Sequence, residues 1–421
     1  MARTAIKGHL AYTPDSTGFV IYPDHFLLVD EDRIVGLSEQ LPDDFSGAEI
    51  YDFSDCLVLP GLIDLHIHAA QYGYRGLGMD MALLPWLETY AFPEESKFAD
   101  AAYAAQIYRQ FAQDLASSAT TRAIVWGTIH ANTDLLVDEL ASHGLGGWVG
   151  KINMDRNSAA ALTESSDQSL ADTWDFVQRN QDKSKQLKPA ITPRFIPSCS
   201  NQLMEKLGQL SVQHHIPVTS HLSENQDEIA WVQELVPQSR TYAEAYDDFQ
   251  LFGETEPCVM AHCVYPEPSD YTLLASRKVT IAHCPSSNLN VLSGLAPVRS
   301  LMDAGSSVGL GTDVAGGHSM SIFDAMVDAI RVSKMYALYV DPKAKPLKVC
   351  EAFYLGTKGG GQVFGQVGSF EPGWTADIIV IDDSTIGGGN QFSLEQRLER
   401  LVYLHHEATL KAKFLAGYKI L

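Results

Sequence analysis

Residues 60 to 72 read PGLIDLHIHAAQY and place His66 and His68 two positions apart at the end of an apolar run. In a β-strand, side chains at i and i+2 project from the same face, so the two imidazoles stand side by side. Further along, other chemically capable residues follow short apolar runs in the same way. His221 and Glu224 occur in SHLSE, His262 in MAHC, His283 in IAHCP, Arg194 in TPRF and Asp313 in GLGTD. Taken singly, each has an ordinary explanation. A histidine beside a strand is usually a hydrogen-bonded core residue, an aspartate after Gly-Thr is usually a cap, and an arginine in a loop is usually a surface ion-pair partner. Taken together they suggest one site.

Two adjacent imidazoles from His66 and His68, a third from His221 and an oxygen of Asp313 make an N₃O donor set. That set suits Zn²⁺, with Fe²⁺ as the alternative. The six cysteines contain no C-x-x-C pair, so a structural Cys₄ or Cys₂His₂ zinc site is excluded. A catalytic zinc keeps one position open for water, whose pKa falls to about 7. Glu224 and His262 then remain free to move protons and orient that water. No lysine ends the run KPAITP, where a bridging ligand for a second ion would sit, so one metal per chain is expected.

These residues need elements to hold them. Eight short apolar runs lie in the middle of the chain: CLVLPGLIDLHIH, ATTRAIVWG, GGWVGKINMD, KPAITPRFIP, IPVTSHLSE, CVMAHCV, KVTIAHCP and SSVGLGTD. Helical stretches separate several of them. One, SKFADAAYAAQIYRQFAQDLASS, carries Tyr103, Ile107, Phe111 and Leu115 at i, i+4 spacing, and Ser96 is its expected N-cap. Eight strand–helix units predict an α/β protein with a closed (β/α)₈ TIM-type barrel, whose chemistry sits at the C-terminal ends of the strands. The segment GTKGGGQVFGQ reads as a glycine-rich loop.

Both ends of the chain are β-rich. FLLVDEDRIVGLSE reads as a hairpin turning at Asp-Glu-Asp, and GSFEPGWTADIIVID ends in a strand over 378–381. We therefore expect residues 1–59 and 367–421 to form one small composite β-sandwich domain, with 60–366 forming the barrel.

The 421 residues carry a formal charge of −22. Such a surface repels phosphate backbones, which argues against nucleic acid as a partner; solubility is purpose enough for the charge. There is no run of about 18 apolar residues and no apolar leader at the N-terminus, so neither a membrane span nor a signal peptide is expected. The cysteine usage fits free thiols in the cytoplasm.

The motifs PGLIDLHIH, SHLSE, AHC, GLGTD and EPGWTADIIVID, spread from residue 60 to about 382, resemble the amidohydrolase superfamily in its mononuclear metal-dependent deaminase branch. A closer similarity links HIHAAQYGYRG, LLPWLETYAFPEESKF, TPRFIPSCS, TSHLSENQDEI and GLGTDVAGGHSMSIFDAM to the guanine deaminases of that fold. The resemblance implies His66, His68, His221 and Asp313 as zinc ligands, Glu224 as proton shuttle and His262 as the group that orients the attacking water. It implies Gln71, Arg194 and Phe195, with His262, as contacts to a purine. It also implies a homodimer working in purine catabolism. Two departures stand out: HAAQY where the group has a proline or polar residue before the glutamine, and VYPEPSD after AHC. Neither touches a ligand.

The reaction implied is hydrolysis of the C2 amino group of guanine to xanthine and ammonia. Asp313 accepts a proton from the attacking water, Glu224 protonates the ring nitrogen beside C2 and then the departing amine, and His262 hydrogen-bonds the tetrahedral oxygen. The alternatives are a relative acting on 8-oxoguanine, a triazine or cytosine, and a catalytically inactive scaffold. The intact ligand set argues against the scaffold. His283 and His318 receive no ligand role.

Overall fold

A computed structural model describes residues 3–253, 255–388 and 391–421. The N-terminal strands are β1 (Arg3–Tyr12), β2 (Val20–Asp30), β3 (Arg33–Ser38) and β4 (Glu49–Pro60). The barrel strands are β5 (Leu62–His68), β6 (Thr120–Trp126), β7 (Gly146–Asn153), β8 (Leu187–Pro193), β9 (Val218–Leu222), β10 (Cys258–His262), β11 (Thr280–His283) and β12 (Ser307–Leu310). The chain closes with β13 (Ile378–Asp382), β14 (Thr409–Leu415) and β15 (Tyr418–Lys419).

The two ends of the chain share one mixed sheet of seven strands, ordered β15-β14-β13-β4-β1-β2-β3. Its core draws on both: Ile6, Leu10, Leu27 and Val58 pack with Phe370, Ile378, Val380 and Phe414. The β2–β3 hairpin turns where the charges Asp30, Glu31 and Asp32 predicted, with Asp30 paired to Arg33 and Glu31 at φ +56°.

The eight middle strands run parallel and in chain order, β5 through β12. All residues of β5, β6 and β7 are buried, as strands covered on both faces must be. The first and last strands meet through the residues that carry the chemistry. Asp313 N donates to His66 O at 2.8 Å, and His68 N donates to Val314 O at 3.2 Å. Asp64 accepts from Thr312 N at 3.1 Å and from Thr312 Oγ1 at 2.5 Å. The residues that join the first strand to the last are thus the ones that line the site.

The helix Ala101–Ser117 buries Ile107, Tyr108, Phe111 and Leu115 against the barrel. Each such side chain contributes roughly 1.5–3 kcal/mol when fully buried. Its N-cap is Asp100, not Ser96: the Asp100 carboxylate accepts from Ala102 N and Tyr103 N. Ser96 sits in a preceding helical turn and donates to Phe92 O instead, because the Phe92–Ser96 turn already uses its backbone. The glycine-rich segment is also not a loop. It continues the helix Val349–Tyr354 through turns at Leu355–Gly359 and Gln362–Phe364. Glycine permits this close packing, since a Cβ at Gly356 would stand 2.4 Å from Met326 Cε.

Two buried cations tie sheet to barrel. Arg122 Nε donates to Asp377 Oδ2 at 2.5 Å. Lys413, 0% exposed, donates to the carbonyls of Leu115, Ser118 and Thr120 at 3.2, 3.0 and 2.8 Å.

Candidate active site

At the mouth of the barrel, β5 ends in His66 and His68, whose Nε2 atoms lie 3.1 Å apart. Both face one carboxylate oxygen: Asp313 Oδ1 is 3.1 Å from His66 Nε2 and 3.4 Å from His68 Nε2. His221, at the end of β9, is turned by a 2.5 Å hydrogen bond between its Nδ1 and Arg194 O. A carbonyl only accepts, so Nδ1 carries the proton and Nε2 is left with its lone pair. One ligand atom from each of His66, His68, His221 and Asp313 falls within 4.8 Å of the others, and all four residues are buried.

The protonation states suit a cation. Burial pushes His66 down to about 4, although the Asp313 charge pulls the other way. Burial, followed by the neighbouring His66, His262 and His68, holds His221 well below its ordinary value. Burial alone would raise Asp313, but His66 outweighs it, with hydrogen bonds from both His66 and His68, and keeps the carboxyl well below its usual range. Metal ligands need neutral imidazoles beside an anionic carboxylate. Two imidazole nitrogens facing each other and a common oxygen are poorly served by hydrogen bonds and well served by a divalent ion. The residues present fit the group.

The end of β10 and the segments after β9, β10 and β12 are held in unusual backbone conformations. Ser223, His262, Cys263 and Asp313 have φ of +47°, +76°, +50° and +49°. Non-glycine residues in this region cost of order 1–3 kcal/mol each and gather where side chains must be aimed. His262 is fixed at Nδ1 by Asn288 Oδ1 at 2.8 Å. Its Nε2, buried without a hydrogen-bond partner, lies 3.5 Å from Glu224 Oε2 and 3.7 Å from Asp313 Oδ2.

Glu224 is 4% exposed, not the solvated residue its place after a strand would suggest. Burial first, then the charge of Asp313, raises its carboxyl to about 8, against the opposing Ser293 hydrogen bond of 3.0 Å. A carboxyl at that value is protonated at neutral pH and can donate. Its backbone is pinned by Glu228, whose Oε2 accepts from Glu224 N at 3.0 Å and whose Oε1 accepts from Tyr242 at 2.7 Å.

His68, His221, Glu224, His262 and Asp313 form the polar base of a cavity. Gln71, Arg194 and Phe195 form one wall, and Leu83, Trp86, Leu87 and Val291 cover it with apolar surface. Apolar side chains with a few convergent polar groups are the usual lining of a small-molecule site. The resemblance-based contacts Gln71, Arg194 and Phe195 therefore all reach the cavity. His283 and His318 do not. His283 is fully buried with neither ring nitrogen partnered, and burial lowers it to about 3. His318 is exposed beside Asn290.

Sequence reasoning missed Glu95, Asp64, Asn288 and Ser293. Asp64 had a signal, since it precedes His66 by two in the same strand. Besides Thr312, it accepts from His66 N at 3.1 Å. Glu95 lay within the quoted stretch LLPWLETYAFPEESKF without a role, and Asn288, in the helix Pro285–Asn290, and Ser293 offered no signal.

Residues 57–417 match the family model described as the amidohydrolase family. A guanine deaminase of Dictyostelium discoideum is 33% identical over 98% of this chain and 97% of its own length. The guanine deaminase of Escherichia coli K12 is 31% identical over 94% of this chain and 90% of its own. Among solved structures, a guanine deaminase from C. acetobutylicum with guanine bound in its active site superposes with a TM-score of 0.97. It is 43% identical and covers 100% of both chains. The chain belongs to the amidohydrolase family.

Proposed function

We propose that the chain deaminates guanine, converting guanine and water to xanthine and ammonia. The observation that carries this reading is the buried convergence of His66, His68, His221 and Asp313 beneath a cavity walled by Gln71, Arg194 and Phe195. The guanine held by the 43% identical structure supports the choice of substrate. One Zn²⁺ per chain is the expected ion, with Fe²⁺ as the alternative. When bound, such an ion acidifies a coordinated water to a pKa of about 7 and so supplies a nucleophile at neutral pH.

The remaining steps belong to the chain. Arg194 and Gln71 hold the purine by its polar edge, and Phe195 packs against the ring. Asp313, kept anionic, takes a proton from the attacking water. His262, held by Asn288, directs Nε2 to the attacking oxygen and hydrogen-bonds it as the tetrahedral centre forms. Glu224, protonated at neutral pH, gives its proton to the ring nitrogen beside C2, then carries the proton of the tetrahedral hydroxyl to the amine as the C–N bond breaks, and the proton held by Asp313 returns Glu224 to its acid form. Leu83, Trp86 and Leu87 keep bulk water out.

We place the reaction in purine breakdown in the cytoplasm, and the protein in a homodimer. Free cysteines support the compartment. No helix among the described residues is long and apolar enough to cross a membrane. Leu338, Tyr339 and Val340, which are 66, 78 and 56% exposed at one helix end, support a covered apolar face. We divide the chain into a barrel over 60–366 and a sheet domain from the remainder.

The test is ammonia release from purified, metal-analysed protein offered guanine, 8-oxoguanine, adenine, cytosine and a triazine side by side. Guanine well ahead is the expected result. A faster base would leave the metal site standing and overturn the substrate.

A further inference from the structure

A second group of side chains able to hold a cation lies against the first, and it brings in a residue that deamination does not use. His262, Cys284 and Asp313 each offer one ligand atom within 4.8 Å of the others, and all three are buried. They come from the end of β10 and from the segments after β11 and β12. Asp313 can serve both groups because it has two oxygens. Oδ1 faces His66 and His68, whereas Oδ2 lies 3.7 Å from His262 Nε2. Tetrahedral bonds of about 2.0–2.3 Å hold ligand atoms roughly 3.3–3.8 Å apart. His262 Nε2 and Asp313 Oδ2 therefore already stand at the separation one ion would require.

His262 is prepared as a ligand. Its Nδ1 meets Asn288 Oδ1 at 2.8 Å, so Nδ1 carries the proton and Nε2 keeps its lone pair. The residue is 1% exposed, and Nε2 has no hydrogen-bond partner among the described residues. Cys284 is fully buried and supplies a sulfur, which the first ligand set lacks. Its thiol makes a long hydrogen bond to Ala282 O at 3.4 Å. Gly311 leaves the room that the sulfur occupies, since a Cβ there would stand 2.8 Å from Cys284 Sγ and 3.0 Å from His66 Cβ.

We propose that His262 Nε2, Cys284 Sγ and Asp313 Oδ2 form a second, inhibitory site for a soft divalent cation, Cd²⁺ or Zn²⁺ in excess. Thiolate and imidazole select such ions over Mg²⁺ or Ca²⁺. The thiol releases its proton to solvent as the sulfur–metal bond forms. This site fills after the first. It has three protein ligands where the first has four, it shares Asp313, and it sets one dication near another. Its occupant stops turnover by taking the His262 lone pair and the free oxygen of Asp313, the groups that direct and deprotonate the attacking water. The proposal rests on the metal and on the roles of His262 and Asp313 given above.

The test titrates Cd²⁺ into chains holding one zinc each, in wild type, Cys284→Ser and Cys284→Ala. Bound cadmium and retained zinc are counted, the ultraviolet thiolate-to-cadmium charge-transfer band is recorded, and guanine turnover is measured on the same samples. Wild type is expected to gain a cadmium with its zinc retained, to show the band and to lose turnover in step with it. Both variants should turn over guanine normally before cadmium is added. They should then lose the part of the band that Cys284 supplies, Cys56 and Cys350 being still present, and need about tenfold more cadmium for half-inhibition. The two variants guard against a misfolded one, since either alone completes the comparison. Inhibition and band unchanged by both substitutions overturn the proposal. Cadmium that enters only as zinc leaves also overturns it, as does a wild type that takes up no second ion. A chain that gains the Cys284-dependent ion but never deaminates guanine overturns the reaction and leaves the cation site standing.

Discussion

Glu224→Gln isolates a proton at almost no steric cost. The amide has the carboxyl's shape, keeps an oxygen for the 3.0 Å bond from Ser293 Oγ, and removes no member of the four-residue ligand set. The structure supplies a magnitude. A carboxyl at its ordinary value of 4.5 would be protonated in about 0.3% of molecules at pH 7. Burial raises it to about 8, which makes that fraction about 90%, a gain of roughly 300-fold in the competent acid. General acid catalysis by a placed group is worth about 10²–10⁴. We therefore expect kcat to fall 10²–10⁴-fold in Glu224→Gln, or about 3–5 kcal/mol in barrier, with metal content and KM for guanine little changed. Wild-type kcat/KM should fall about tenfold per unit above about pH 8, where Glu224 loses the proton it must give. Steady-state ammonia release with metal analysis on the same samples reads both. A metal-replete Glu224→Gln enzyme retaining a tenth of wild-type kcat would refute the role.

Four further outcomes are expected. Arg194→Ala should raise KM for guanine by more than tenfold without loss of metal, and should also lower Tm, because it strands the buried Glu95 charge; adding Glu95→Gln should recover the Tm but not the KM. Asp64→Asn should weaken metal binding about 10–100-fold in a chelator competition, since Asp64 orients both the His66 and Thr312 backbones. Removing the metal with a chelator should abolish turnover and lower Tm, and zinc should restore both. Lys413 has its folded value lowered by burial to about 7 from an ordinary 10.5, so the unfolded state binds the extra proton between those values and this group makes stability rise with pH across that window, by at most about 5 kcal/mol. In Lys413→Met that rise should vanish from the Tm-against-pH curve; parallel curves would show that the three carbonyls hold the charge against burial.

The sequence by itself determined the frame of this protein and the cluster that could hold a metal. Eight apolar runs ending in polar residues are a local pattern, and right-handed parallel strand–helix units admit few ways to close. Once they close, strand-end residues must meet, which is why His66, His68, His221 and Asp313 were legible as a set and found together. The hairpin at Glu31 was legible for the same reason, since a turn depends on its own neighbours. Capping was less so. Asp100 and Ser96 are equally plausible by residue type, and only the turn that precedes the helix decides between them. The glycine-rich segment carried a loop's composition, but its conformation follows from Met326 and from the barrel strands it must lie against. What only the tertiary structure decided is the electrostatic state of the site. The Glu224 carboxyl is raised because it is buried beside Asp313, 89 positions away in the chain. Gln71 and Arg194 are both held by Glu95, which reaches Arg194 across 99 positions. Burial and hydrogen-bond complementarity are properties of what surrounds a group in space, and no periodicity in the chain records them.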